Sequence, residues 1–362
     1  MSLLPDPETF RRLVDGTTPG AGPAALRLVL ASLSVPYEAA VSLRNAGYDR
    51  GWLATAAAPV PVISVGNLTL GGTGKTPLVA WLVRLLASHG RRPAVVSRGY
   101  AADASGTSDE AAELSLLVPG LTHVAHRDRV AAARTAAESG ADVVVLDDGF
   151  QHRRLARELD IVAVDASDPF GCGHLVPRGL LREPLASLAR ADAIVLTRAA
   201  EPARRAAIRT RLAAACRGRL PPVWAEAEHE VVGLRSASGV TSAADTIRGR
   251  RVLGFCGIGN PGAFRATLTG LGVDLAGFEP FADHHAFTPD ELAGIAAAAR
   301  AAGAGMLVTT VKDLVRIRRT DVEGVPIVAV EIAMHILSGG AELEAAVLRT
   351  IAGRTAPAEA RT

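Results

Sequence analysis

The sequence contains few lysines, cysteines, aromatic residues and side-chain amides. Of its 39 basic residues only two are lysine, Lys75 and Lys312. The three cysteines have no CxxC or Cys/His ligand spacing, which excludes a disulfide framework and a structural zinc site. Aromatic residues make up 4% of the chain and the formal net charge is +2. We therefore expect a protein of a reducing compartment that does not bind nucleic acid.

The chain does have enough apolar sequence for a large core. It has 362 residues, of which 49% are hydrophobic, and at roughly 150 residues per domain this length predicts about two domains. Arginine supplies the general positive charge, so a lysine is expected where a compact ammonium is needed instead of a planar guanidinium. The two lysines are therefore the first positions to consider for a functional site.

The first long apolar run covers residues 24–35, and no signal peptide is evident before it. Pro36 is expected to end a helix over this run, which gives a length of about 18 Å against roughly 30 Å for a bilayer core. A helix of this length is too short to span a membrane. It either lies in the membrane interface or packs on the protein's own core. An interfacial helix would place Leu26, Val29, Leu30 and Leu33 on one face, with Arg27 and Arg44 near the lipid headgroups.

After residue 59, short apolar runs alternate with helical patterns, and this alternation predicts an α/β protein with a doubly wound parallel sheet (α/β/α). Two adjacent prolines at 221–222 mark a boundary, and a second, smaller α/β/α domain is expected after them. A T-x-x-E capping box at Thr288 begins a helix over residues 289–302. The predicted strands are 60–65, 94–96, 143–146, 161–164 and 193–196, followed by 251–256, 306–310 and 326–330.

These patterns divide the chain into four predicted parts. Residues 1–58 form a helical segment at the membrane interface, and residues 59–220 form the first α/β domain. Residues 221–340 form the second domain, and residues 341–362 form a C-terminal helix and tail.

Eight residues between the first predicted strand and the next helix have the pattern of a phosphate-binding loop. Glycines allow backbone N–H groups to wrap a phosphate, and the helix N-terminus adds a favourable dipole. The lysine is expected at the β- and γ-phosphates, and the last hydroxyl on Mg²⁺. The loop predicts an ATP site on a P-loop NTPase-like fold. Its residues are Thr69, Leu70, Gly71, Gly72, Thr73, Gly74, Lys75 and Thr76, with Thr69 in place of the usual first glycine.

A later apolar strand ends in two carboxylates, Asp147 and Asp148. Ligands of open parallel sheets lie at the carboxyl ends of the strands, so both acids are expected near the phosphate loop. Adjacent strand residues point in opposite directions, and only one of the two is expected to touch Mg²⁺. Together with the loop, the pair predicts a Mg²⁺-dependent nucleoside triphosphatase or kinase.

Further motifs occur in a fixed order between residues 60 and 315. They are the segments 62–69, 146–152, 154–157, 170–171, 175–177, 181–184, 257–261, 281–284 and 310–313. In this order they resemble the tetraacyldisaccharide 4′-kinase family, the lipid A 4′-kinases. The run DDGFQH (147–152) with the downstream LREP (181–184) is far more specific than the phosphate loop alone.

The resemblance implies transfer of the γ-phosphate of ATP to the 4′-hydroxyl of a tetraacylated glucosamine disaccharide 1-phosphate, in lipid A biosynthesis. It also implies two α/β/α domains with the site in their cleft, and an N-terminal helix at the cytoplasmic face of the bacterial inner membrane. The expected partners are therefore the lipid disaccharide and the membrane surface, and no obligate protein partner is evident.

The resemblance further implies that an acid and a histidine activate the sugar hydroxyl. The matching residues are Asp109 and His284, although the segment around Asp109 lacks the glycine and the proline of the family's Gly-Asp-Glu-Pro. Without a catalytic role, Asp109 is a loop acid or a helix N-cap and His284 a loop histidine. The alternative base pair is Asp148 with His152.

Four arginines are candidates for binding anions, or else are ordinary surface charges: Arg127 and Arg129 for the substrate's 1-phosphate, Arg178 and Arg182 for either substrate. Two other functions remain alternatives. A dimerising, membrane-associated ATPase would have a lysine at the position of Leu70. A GTP-dependent switch would have an asparagine ahead of the Lys312-Asp313 pair, and this chain has none there.

Overall fold

Short strands alternate with helices along most of the chain, as the apolar pattern predicts. The computed structural model describes residues 7–99 and 109–352. Residues 1–6 and 353–362 of the predicted terminal segments lie outside these ranges, as do Tyr100 and Ser108. The strands are β1 Val62–Asn67, β2 Pro93–Ser97, β3 Thr122–Ala125, β4 Val143–Asp147, β5 Leu159–Asp165, β6 Ala193–Thr197, β7 Val223–Arg235, β8 Thr241–Ser242, β9 Arg251–Cys256, β10 Asp274–Pro280, β11 Leu307–Thr310, β12 Asp321–Val322 and β13 Val325–Ser338. The helices are α1 Pro7–Asp15, α2 Ala21–Asp49, α3 Lys75–Ser88, α4 Asp109–Leu117, α5 Arg129–Glu138, α6 Pro202–Ala215, α7 Pro261–Gly270, α8 Pro289–Ala301, α9 Val311–Ile317 and α10 Gly340–Ala352.

The described residues form two units that are not contiguous in sequence. The larger unit contains residues 8–99, Val118–His229 and 334–352, and the smaller unit contains residues 109–117 and Glu230–Ala333. Helix α4 therefore belongs with the elements that follow residue 230, although it lies near residue 110 in the sequence. The boundaries predicted at 58, 220 and 340 stay predictions.

The larger unit contains a parallel sheet in the strand order β7-β6-β5-β1-β4-β2-β3. Its central strands are buried along their whole length, as parallel strands covered on both faces must be. One cluster of buried side chains joins β1, β2 and β4 to α5, and another joins β5 and β6 to α6. The predicted doubly wound α/β fold is confirmed.

The smaller unit contains a second parallel sheet, in the order β10-β9-β11-β13. Helix α8 begins at the predicted capping box: the Thr288 side chain accepts from the Glu291 backbone, and the Glu291 side chain accepts from the Thr288 backbone. Strands β3, β7 and β10 were not predicted from the sequence, because their burial alternates or is only partial. Such strands lack the continuous apolar run that marks a buried strand.

Helix α2 differs most from its prediction, because it continues through Pro36 for 29 residues, about 44 Å. Proline removes one backbone hydrogen bond, and side-chain contacts hold the helix on both sides of it. Ser34 Oγ donates to Leu175 O at 3.0 Å, and Tyr37 Oη donates to Arg182 O at 2.8 Å. Farther along, Asn45 Nδ2 donates to Glu183 Oε2 at 2.7 Å.

By length and composition α2 is suited to crossing a membrane, with a mean hydropathy of 1.4 over its most apolar 18-residue window. Core helices of soluble proteins meet the same criteria, but those helices are buried and this window is not buried at all. The expectation that the segment is too short to span a bilayer was wrong, because it depended on Pro36 ending the helix. The sequence pattern also placed Leu30 on the lipid face, whereas Leu30 is partly covered and Leu28 is exposed.

Replacing Glu183 with Gln should destabilise the larger unit by about 3–5 kcal/mol, because it leaves the guanidinium of Arg190 buried without its partner. Glu183 is 1% exposed in this pair, and its Oε2 lies 2.7 Å from Arg190. Urea unfolding followed by circular dichroism measures the change. As a control, Glu344→Gln removes half of an exposed pair with His89 and should change stability by less than about 1 kcal/mol. Equal effects of the two variants would contradict the prediction.

Candidate active site

The phosphate-loop sequence forms a tight turn between β1 and α3 in the larger unit. Gly71 has φ 102° and Gly74 has φ 79°, in the left-handed region that disfavours residues with a Cβ. At Gly74 a Cβ would also lie 2.7 Å from Nε2 of His229. Gly74 caps α3, and Lys75 and Thr76 begin that helix. The loop therefore ends on a helix N-terminus, whose N–H groups and dipole favour an anion.

Scaffold side chains hold the carbonyl groups of this loop from behind. Three donors each bind one loop carbonyl, at donor–acceptor distances of 2.7, 2.8 and 3.1 Å. The shape of the loop thus depends on its backbone and on these donors, and not on its lysine. The pairs are Asn67 with Thr69, Thr197 with Thr73 and Arg198 with Gly72.

Residues 171–184, which we call the bracing segment, support the loop from the other side. Leu70 N donates to Leu180 O at 2.7 Å, and Arg182 N donates to Leu68 O at 2.7 Å. The same segment accepts the hydrogen bonds from α2 described above. It therefore connects the apolar helix to the phosphate loop through backbone hydrogen bonds.

Asp148 lies between two cations beside the loop. Arg182 donates to its two oxygens at 2.9 and 2.8 Å, and Lys75 Nζ lies 3.3 Å from Oδ1. Burial raises the pKa of Asp148, but Lys75 and Arg182 outweigh it and hold the pKa below its usual range. A carboxylate paired so strongly is a poor proton acceptor. This argues against Asp148 with His152 as the base pair, and burial lowers the pKa of His152 to about 4.

Asp147 and Thr76 provide further oxygen atoms at the same end of the sheet. Asp147 is the last residue of β4, pairs in register with Val65 of β1 and is 7% exposed. Carboxylate and hydroxyl oxygens suit Mg²⁺, which proteins hold with one or two carboxylates plus substrate phosphates. Within residues 7–99 and 109–352, no three His, Cys, Asp or Glu side chains group around a possible metal position. The residues here therefore fit a Mg²⁺ ion that shares its ligands with a nucleotide.

The smaller unit brings Asp109 and His284 together. Asp109 begins α4, and His284 follows β10 with a φ of 61°. His284 Nδ1 lies 3.4 Å from Asp109 Oδ2. Lys312 Nζ lies 3.2 Å from His284 Nε2 and 2.9 Å from Asp283 Oδ1. The second lysine of the chain is therefore part of this cluster.

Asp313 holds the turn behind this cluster. It is fully buried and accepts from Gly257 N at 3.0 Å and from Thr310 Oγ1 at 2.7 Å. His285, by contrast, lies 3.0 Å from Glu291 at the start of α8. The neighbouring histidine thus has a capping role, and His284 is the one that contacts Asp109.

Comparison with known proteins identifies the family. A family model described as tetraacyldisaccharide-1-P 4′-kinase matches residues 26–352. The chain belongs to this family. A tetraacyldisaccharide 4′-kinase of Anaeromyxobacter dehalogenans strain 2CP-C is 43% identical over 86% of this chain and 87% of that protein. One of Geobacter metallireducens is 43% identical over 80% of this chain and 88% of that protein.

A solved structure agrees with the family and with the fold. The crystal structure of LpxK from Aquifex aeolicus in complex with ATP covers 90% of this chain and 99% of that one, with a TM-score of 0.73 and 30% identity. The kinase described here is ATP-dependent and phosphorylates the 4′-hydroxyl of a tetraacylated disaccharide 1-phosphate in lipid A biosynthesis. This confirms the function implied by the sequence motifs and excludes the dimerising ATPase and the GTP switch.

The candidate arginines of the kinase differ in their surroundings. Arg127 is exposed, whereas Arg129 is buried at the start of α5. Arg178 donates to Val14 O at 2.6 Å and so ties down α1. Only Arg182, through its pairing with Asp148, lies against the phosphate loop.

Sequence reasoning missed Arg316, which contacts both Asp109 and His284. One signal was available: Arg316 follows Lys312 by four residues, and residues so spaced share one face of a helix. In a chain with so many arginines, that spacing alone did not distinguish it from a surface charge.

Replacing Lys75 with Ala should lower kcat by about 10²-fold or more, the typical effect of removing one transition-state charge donor. The fold should be unchanged, because backbone and scaffold donors shape the loop. Lys75→Arg should also be poor, since a planar guanidinium does not replace a compact ammonium. Phosphate transfer to the lipid disaccharide, with thermal unfolding alongside, tests this. Arg84→Ala, on the exposed side of α3, is the control, and near-normal turnover of Lys75→Ala would contradict the assignment.

Proposed function

We propose that the kinase holds ATP and Mg²⁺ at the phosphate loop and uses Asp109, with His284, to remove the proton of the sugar 4′-hydroxyl. The observation that carries the proposal is the 3.4 Å contact between Asp109 Oδ2 and His284 Nδ1, which joins residues 175 positions apart in the sequence. Two polar residues so distant in sequence meet on an exposed surface only where the fold brings them together. His284 is about half exposed in this contact, so the pair is accessible to a substrate.

The proposed reaction is an in-line phosphate transfer. The hydroxyl oxygen attacks the γ-phosphorus, the bond from that phosphorus to the β–γ bridging oxygen breaks, and ADP leaves. The hydroxyl proton passes to Asp109. Lys75 neutralises charge on the β- and γ-phosphates, and the loop N–H groups bind phosphate oxygens.

Mg²⁺ is proposed to bind at Thr76 and at Asp147 or Asp148. When bound, the ion would neutralise phosphate charge and bridge the β- and γ-phosphates. Asp148 is already paired with Lys75 and Arg182, so Asp147 is the better supported direct ligand. Asp148 then serves to position the lysine.

Asp109→Asn tests the base, because it keeps the shape of the side chain and removes the basic oxygen. General-base catalysis is worth about 10²–10⁴ in rate, so kcat should fall within that range while KM for ATP stays the same. His284→Ala should not add to this loss, because residues acting as a unit are not additive. Asp290→Asn, exposed at the start of α8, is the control. A nearly fully active Asp109→Asn would mean that the base lies elsewhere.

The outer face of α2 is proposed to lie in the membrane. The polar side chains Ser34, Tyr37 and Asn45 point toward the protein, whereas large apolar side chains point to solvent. This is the reverse of the usual arrangement for a surface helix, and exposed apolar patches mark interaction sites. The lipid substrate requires a membrane surface, and three free cysteines fit a cytoplasmic face at the inner membrane. The outer face consists of Leu26 46%, Leu28 71%, Val29 55%, Leu33 54%, Val35 66% and Leu43 67% exposed.

Changing Leu28, Val29 and Leu33 together to Ser should lower binding to anionic phospholipid vesicles by at least about 10²-fold. Burying each such side chain is worth about 1.5–3 kcal/mol, and 1.4 kcal/mol is a tenfold change in affinity. Vesicle sedimentation measures the binding, and thermal unfolding should stay unchanged. The partly covered Leu30, changed to Ser, should lower stability more than binding. If the triple variant unfolds the protein and binds vesicles normally, the outer face is not the membrane contact.

A further inference from the structure

Arg316 occupies a fixed position within the Asp109 cluster. Its side chain is 9% exposed and lies on α9, one helical turn after Lys312. The guanidinium contacts Asp109 Oδ2 through Nε at 2.7 Å and through a terminal nitrogen at 2.6 Å. Its other terminal nitrogen donates to buried Asp313 at 3.2 Å. Since Asp313 is itself held by backbone and hydroxyl donors, the guanidinium is anchored on a rigid base.

The two oxygens of Asp109 are not equivalent. Arg316 and His284 both approach Oδ2. Within the described parts of the chain, no donor contacts Oδ1. One oxygen of the carboxylate is therefore anchored, and the other is available to a substrate hydroxyl.

The contacts of His284 define its role beside this carboxylate. Arg316 and Lys312 are donors only, and they approach opposite nitrogens of the ring, Nδ1 at 3.0 Å and Nε2 at 3.2 Å. A neutral imidazole has only one acceptor nitrogen. The consistent arrangement is that Nδ1–H donates to Asp109 and Nε2 accepts from Lys312. His284 then has no free lone pair for the substrate proton, and it acts as a second anchor of Oδ2.

We propose that Arg316 is a positioning residue, which holds Asp109 by Oδ2 so that Oδ1 accepts the proton of the sugar hydroxyl. This rests on the proposed role of Asp109 as the base. It adds the atom that accepts the proton and the residue that orients it. A carboxylate held by a guanidinium through two nitrogens has one fixed orientation, and a fixed orientation is what proton abstraction requires.

Arg316 also sets the acidity of the base. Burial raises the pKa of Asp109, but Arg316 and then His284 outweigh it and keep the pKa below its ordinary value. Asp109 must be ionised to accept a proton, so activity is lost as the pH falls through this pKa. Removing Arg316 raises the pKa and moves that loss to higher pH. Other charged groups on the elements around Asp109 are Glu110 and Glu113 on α4, Lys312 and Asp313 on α9, and Asp283.

Two substitutions separate charge from geometry, with kcat/KM for the lipid disaccharide measured against pH in the full-length enzyme. Arg316→Gln removes the charge and should move the acidic limb up by about one to three pH units. Arg316→Lys keeps the charge but not the two-nitrogen contact, so the limb should stay near that of the wild type while kcat falls by about tenfold or more. KM for ATP should stay the same in both. Arg319→Gln, exposed just beyond α9, is the control and should change neither quantity.

Glu113 is the group most able to imitate this shift, because burial raises its pKa to about 7. The limb should move equally when Arg316→Gln is made in a Glu113→Gln background. If the shift disappears there, the limb belongs to Glu113 and the inference is wrong.

A structural role for Arg316 would give a different result. Both variants would then lose thermal stability, and the folded fraction would keep the wild-type pH profile and kcat. If Arg316→Gln does not fold, a fully active Arg316→Lys overturns the inference by itself. Activity of Asp109→Asn contradicts the proposed base. An inactive Asp109→Asn together with unchanged Arg316 variants contradicts only the positioning role.

Discussion

The structure of the larger unit depends on the hydrogen bonds that the bracing segment makes to the phosphate loop. Leu68 and Leu70 pair with it through their backbones, and Arg182 of the same segment carries its side chain to Asp148. On its other side the segment receives the polar face of α2. One stretch of backbone therefore fixes the loop, orients an acid beside its lysine and leaves the apolar face of α2 outward. A kinase whose substrate stays in a membrane needs these three features together.

Both units follow one electrostatic rule, which is that a functional carboxylate is held by cations. In the larger unit Lys75 and Arg182 pair with Asp148, and in the smaller unit Arg316 pairs with Asp109. In each case the cations overcome the effect of burial and keep the acid ionised. The consequences differ with geometry. Asp148 has cations on both oxygens and is a poor base, whereas Asp109 is held through one oxygen.

The scarcity of lysine was the most useful compositional signal. Lys75 lies at the phosphate loop and Lys312 contacts His284, so both lysines are in the two clusters. The signal is physical, because a compact ammonium reaches a single phosphate oxygen or ring nitrogen that a planar guanidinium would overfill. Arginine gave no such signal. Arg182 and Arg316 could not be separated by sequence from arginines such as Arg178, which only tie down a helix.

The sequence by itself determined the strands of the sheet core, the phosphate loop and the family, because these depend on local patterns: continuous apolar runs, glycine at left-handed positions and short motifs. The course of α2 through Pro36 was decided by tertiary contacts, since hydrogen bonds to the bracing segment hold the helix where local preference would end it. The grouping of α4 with residues beyond 230, and the anchoring of Asp109 by Arg316, were likewise decided only in three dimensions. These contacts join residues more than a hundred positions apart, and no local pattern records such a pairing.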